Sequence, residues 1–87
     1  MHIPQDELLE RIENAKQKVE VGTLYAHYKS RDKAYKVINI AITEADDELC
    51  VIYQAQYGSN LIFVRPLQSW LEAAELDGKQ VPRFTKI

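Results

Sequence analysis

A chain of 87 residues with 46% hydrophobic and 28% charged side chains, three glycines and three prolines has the make-up of one small globular domain, which excludes a disordered or collagen-like chain. One cysteine, Cys50, cannot form an intrachain disulfide and, with two histidines, cannot build a closed zinc site, so neither a metal nor a cofactor is expected. The net charge of −2 removes bulk attraction as a reason to bind nucleic acid or a membrane.

The first predicted element is a helix ending before Gly22. Leu8, Ile12, Ala15 and Val19 fall on one stripe, Pro4 suits a first turn, and Asp6 and Glu7 precede Lys16 and Lys18 in the order a helix dipole favours. Beyond Thr23 the pattern changes to strands. Leu24 to Lys29 alternates, Ser30 to Lys33 reads as a polar turn, and Ala34 to Thr43 places Ile38, Ile40 and Ile42 on one face. An acidic connector, Glu44 to Glu48, leads into a strand over Leu49 to Tyr57, with Leu49, Val51, Tyr53, Ala55 and Tyr57 facing one way. Gly58 to Asn60 turns the chain into a short strand from Leu61 to Arg65 that Pro66 ends. Leu67, Trp70, Leu71 and Ala74 then form a short amphipathic helix, Asp77 and Gly78 a turn, and Val81 to Lys86 a last strand.

These elements predict a mainly β, α+β fold: a small SH3-like, partly open antiparallel barrel over residues 22–87, preceded by an amphipathic helix over residues 1–21. Val37 beside Ile38, and Val51 beside Ile52, give strands apolar residues on both faces. The outer face therefore needs cover, from the leading helix or from a second copy joined through it as a homodimer. The longest uncharged stretch, Leu49 to Val64, is too short and too polar to span a membrane. The amino-terminal residues lack the pattern of a signal peptide, so a cytoplasmic location is expected.

Several ordered segments carry a family resemblance: Gly22 to Lys29, Tyr35-Lys36-Val37, Val51 to Gly58, Val64 to Leu67, Asp77-Gly78 and Pro82-Arg83-Phe84. Together, over residues 22–84, they resemble the small bacterial family known as domain of unknown function 1653. The sequence departs from that pattern at Phe63 or Val64, at Gln56 and at Trp70. The family has no established activity, so the resemblance implies an architecture and marked positions without a mechanism.

Six residues stand out as candidates for ligand binding: Tyr25, His27, Lys29, Tyr57, Arg65 and Arg83. Alternation puts Tyr25, His27 and Lys29 on one strand face, leaving Leu24 and Tyr28 to be buried on the other. A phenol, an imidazole and an ammonium together can hold an anion, whereas the plainer reading gives His27 a protein partner and leaves Lys29 solvated. Arg65 and Arg83 are either forks holding carboxylates of the fold, with Glu72, Glu75 and Asp77 as the acids at hand, or ligands for an anion. Tyr53 and Trp70 read as core, and Cys50 as a buried, inert thiol.

The expected function is a non-enzymatic binding or adaptor module for a small anionic or peptide ligand. A single-stranded nucleic-acid binder is the alternative, supported by Lys29, Arg31, Lys33 and Lys36, but the charges after Val21 cancel. A small enzyme using His27 as general base is the second alternative.

Overall fold

The computed structural model describes residues 3–87. Helix α1 spans Gln5–Lys18, with Asp6 and Glu7 in its first turn and Lys16 and Lys18 in its last. Pro4 sits just outside that turn in an extended conformation, and its carbonyl accepts the Leu8 N–H at 3.0 Å. Ala15 and Val19 bury the stripe, with Ile12 packed beside them. Past the helix, the Glu20 backbone N–H donates to the Tyr25 hydroxyl at 2.9 Å, and Gly22 (φ 83°) turns the chain onto Val37, to whose carbonyl its N–H donates at 2.8 Å. A side chain at that φ would be strained.

The strands are β1 (Leu24–His27), β2 (Ser30–Thr43), β3 (Glu48–Ala55), β4 (Ile62–Pro66), β5 (Ala73–Leu76), β6 (Lys79–Pro82) and β7 (Phe84–Lys86), with α2 (Leu67–Leu71) after β4. Five of them form an antiparallel sheet in the order β4-β3-β2-β1-β7, and β5 pairs with β6 in a separate ribbon. The fold is thus mainly β with two helices, and the sheet is open. It is also strongly curled. Laid flat, β4 and β7 would stand about 19 Å apart at the usual strand spacing, yet the Arg65 guanidinium of β4 lies 5.4 Å from the centre of the Phe84 ring of β7.

What fills the curl is Trp70. Its indole stacks on Phe84 with centroids 3.7 Å apart and planes 3° from parallel, and meets Tyr53 at 5.1 Å and Tyr25 at 5.4 Å edge-on. Val37, Ile40 and Val51 complete the inner face, against which Ala15 of α1 and Val19 just past its end pack.

The structure differs from the sequence expectations at several places. The first hairpin turns at Tyr28 and Lys29, and residues 30–33 belong to β2, because the register slips between Ala26 and His27 so that His27 pairs with Ser30. A β-bulge between Val37 and Asn39 adds one residue to β2. Val37 and Ile40 thereby share the inner face and Ile38 turns outward, so the predicted Ile38, Ile40, Ile42 face is broken. Ala74 leaves the short helix for β5, and Arg83 splits the predicted last strand into β6 and β7. Nor does α1 cover the outer face: it packs on the inner one, and Ile38, Ile62 and Val64 remain exposed.

Because Trp70 joins α2 to three strands, Trp70→Ala should lower stability by about 3–5 kcal/mol, a large share of what a domain this small possesses. Urea denaturation followed by circular dichroism measures the loss, and Trp70→Phe should recover part of it.

Candidate functional site

The inner face of the curled sheet does not end at the Trp70 plug. Beyond it lies a cleft of about 420 Å³, walled by Tyr35 of β2, Tyr53 of β3, Phe63 of β4 and Phe84 of β7. Alternation puts Phe63 and Arg65 on the same side of β4, and their cross-strand partners are Tyr53 and Val51. Tyr53 and Phe63 stack at 5.6 Å, and Tyr35 meets Tyr53 edge-on at 5.7 Å. The polar part of the lining is His27, Lys29, Ser30 and Arg65, with no carboxylate among them.

Arg65 is held without an acid. Its Nη1 donates to Ser69 Oγ at 3.2 Å, from the α2 turn that follows it, and its guanidinium lies over Phe84. Among the described residues no carboxylate comes within ion-pairing distance of it. The Ser69 hydroxyl and the ring together fix the fork while leaving most of its donors for something else.

His27 packs its ring edge-on against Phe84 at 5.1 Å and beside Tyr28 at 4.7 Å. Its Nδ1 accepts the Lys29 backbone N–H at 3.2 Å, which leaves the ring proton of the neutral imidazole on Nε2. Burial pushes its pKa below the ordinary value, and the positive charges of Arg65, Arg83 and Lys29 push it further down. Three cations therefore converge on one neutral imidazole.

The six residues singled out in the sequence do not all meet there. His27, Lys29 and Arg65 line the cleft. Tyr25 shares the inward direction of His27 but lies in the core, 6% exposed against 40% for Leu24. The expected sides of β1 are therefore reversed, because the inner face of the sheet needs the larger ring against Trp70. Lys29 stands in the turn and not on the strand. Tyr57 lies past the end of β3, where its hydroxyl meets that of Tyr35 at 2.6 Å and Lys33 covers its ring at 5.0 Å. Arg83 pairs with Glu72 at 3.1 Å outside the cleft and reaches His27 only through its charge. The sequence reading missed Ser30, Tyr35, Phe63 and Phe84 as lining. Phe63 was accessible from its i, i+2 spacing to Arg65, whereas Phe84 reaches the cleft only through the curl of the sheet.

Comparison with known proteins agrees with this architecture. Residues 23–86 match the family described as protein of unknown function DUF1653, and the chain belongs to that family. A crystal structure of a DUF1653 protein from Bordetella bronchiseptica is similar to it at a TM-score of 0.68 and 26% identity, covering 80% of this chain and 90% of that one. No curated protein matches the chain. The family match starts after α1, so the helix lies outside the matched region while supplying part of the core.

At the cleft margin, the Tyr57 hydroxyl and, secondarily, burial push the Tyr35 phenol up to about 12. Removing the hydroxyl in Tyr57→Phe should return Tyr35 toward its usual pKa near 10. A spectrophotometric titration of phenolate absorbance reads this as one tyrosine moving to lower pH.

Proposed function

We propose that this member of the DUF1653 family is an SH3-like, non-enzymatic binding module that holds an anionic group, a carboxylate or a phosphate, in the cleft between β4 and β7. The observation that carries the reading is Arg65: a guanidinium fixed by Ser69 and Phe84, flanked by His27 and Lys29, in a lining without acids. A planar fork with free donors matches carboxylate and phosphate oxygens, and the aromatic walls lower the local dielectric and strengthen that contact. His27 supports binding better than base catalysis, since its Nδ1 is engaged by a backbone N–H and no carboxylate among the described residues orients it. The Bordetella relative supports a bacterial setting, and the buried thiol of Cys50 suits a reducing, cytoplasmic one.

The test is an NMR titration of the protein with inorganic phosphate and with acetate. Shifts should concentrate at His27, Lys29 and Arg65. Arg65→Ala should weaken binding about 10- to 100-fold, the effect of losing a hydrogen bond to a charged group. An anion beside His27 favours its protonated form, so affinity should rise as pH falls below the ordinary imidazole value and level off once His27 is protonated in the free protein. Unchanged affinity in Arg65→Ala, or shifts centred away from the cleft, would refute the reading.

A further inference from the structure

Strand β4 ends the five-stranded sheet, so among the described residues one of its sides has no strand beside it. Its outward residues, Ile62 and Val64, are apolar and β-branched and show no bulge against β3, so the charge and the proline that blunt the edge, Arg65 and Pro66, fall only at its end. The Ala55 N–H donates to the Leu61 carbonyl. In the alternation of an antiparallel ladder, Leu61, Phe63 and Arg65 then turn their backbone groups to β3, and Ile62 and Val64 turn theirs to the open side. No backbone hydrogen bond among the described residues reaches Ile62 or Val64 from that side. Their side chains are 61% and 66% exposed.

This open edge is also the lip of the cleft. Phe63 and Arg65, the inward residues of the same strand, form one wall of it, and the curl that brings Arg65 onto Phe84 leaves the gap between β4 and β7 as its mouth. A strand laid along β4 would exchange hydrogen bonds with Ile62 and Val64, and every second side chain would point into the cleft toward Arg65, Lys29 and His27. We infer that the anion of the proposed function is delivered by an extended acidic peptide segment of a partner protein, which adds as a sixth strand to β4 and places a Glu or Asp carboxylate on Arg65.

Charge decides the occupant. A second copy pairing through β4 would bring no carboxylate to the cleft, because residues 61–65 hold none, and would bring another arginine instead. An acidic segment matches the Lys29 and Arg65 charges of the lining and the open ladder with one chain. The inference rests on the anion-binding reading, and the two can fail separately.

The experiment compares two probes by isothermal titration: acetate, and the capped peptide acetyl-Thr-Val-Glu-Val-Thr-amide. The peptide should bind at least tenfold more tightly than acetate, and N-methylation of its two valine amides, which face Ile62 and Val64 when it runs antiparallel to β4 with its Glu inward, should abolish that gain. Val64→Pro removes an outward N–H without touching the ladder to β3, so it should weaken the peptide at least tenfold and leave acetate unchanged. Arg65→Ala should weaken both. A peptide no tighter than acetate, or one indifferent both to its own N-methylation and to Val64→Pro, overturns the inference while the anion site stands. Acetate indifferent to Arg65→Ala overturns the anion site itself. A concentration-dependent dimer in sedimentation, lost in Val64→Pro, would assign the edge to a second copy and also overturn the inference.

Discussion

Contact between two rings organises this molecule. Trp70 and Phe84 come from α2 and β7, elements separated in sequence and attached to opposite edges of one sheet, and they stack face to face at 3.7 Å. An open five-stranded sheet has no hydrogen-bonded reason to bring its edges together; apolar burial between the edges supplies one. Tyr25 and Tyr53 meet Trp70 edge-on and fix the indole plane, and the Arg65 guanidinium lies over Phe84, so the ring that seals the core is also the floor of the cleft. Core and site are consequently one construction. A change that loosens the stack moves Phe84, and with it the surface on which Arg65 and His27 rest.

Much of this was legible in the sequence. The stripe of α1, the break at Pro66 and the Asp77-Gly78 turn each follow from local chemistry, as does the strand expected over Leu49 to Tyr57, which in the structure ends at Ala55, and Asp77 and Gly78 both take the positive φ that such a two-residue hairpin turn demands. The expectations that failed share a cause. The bulge at Val37–Asn39 shifts the register by one residue and the slip at Ala26–His27 by three, and period-2 reasoning has no way to register such an odd shift: every side chain beyond it switches face. Ile38 was thereby given the place that Val37 takes. Tyr25 failed differently, since either face of β1 could hold a large residue and only Trp70, distant in sequence, decides which.

The site was half legible for a related reason. His27 and Arg65 were visible as residue types, but their meeting depends on the curl, which brings β1, β4 and β7 around one opening. Arg83 illustrates the converse. Placed between Pro82 and Phe84 it looks like an equal of Arg65, yet its Nη2 is engaged by Glu72 at 3.1 Å, away from the cleft. Which of two similar arginines faces the cleft without a carboxylate is settled by neighbours that only the tertiary structure supplies.

The electrostatics of the cleft tie the protein's stability to pH. Burial and the charges of Arg65, Arg83 and Lys29 hold the pKa of His27 below its unfolded value, so folding favours the neutral imidazole. The unfolded chain then takes up a proton more readily than the folded one as pH falls below the ordinary imidazole range. His27 therefore contributes stability above that range, and the contribution is lost on acidification through its folded pKa. The proposed anion would reverse the balance, because it would screen the repulsion of a protonated His27 by these cations and raise the folded pKa again. The free protein is thus weakened at low pH by the arrangement to which the proposed anion would respond, and binding of that anion would offset the loss.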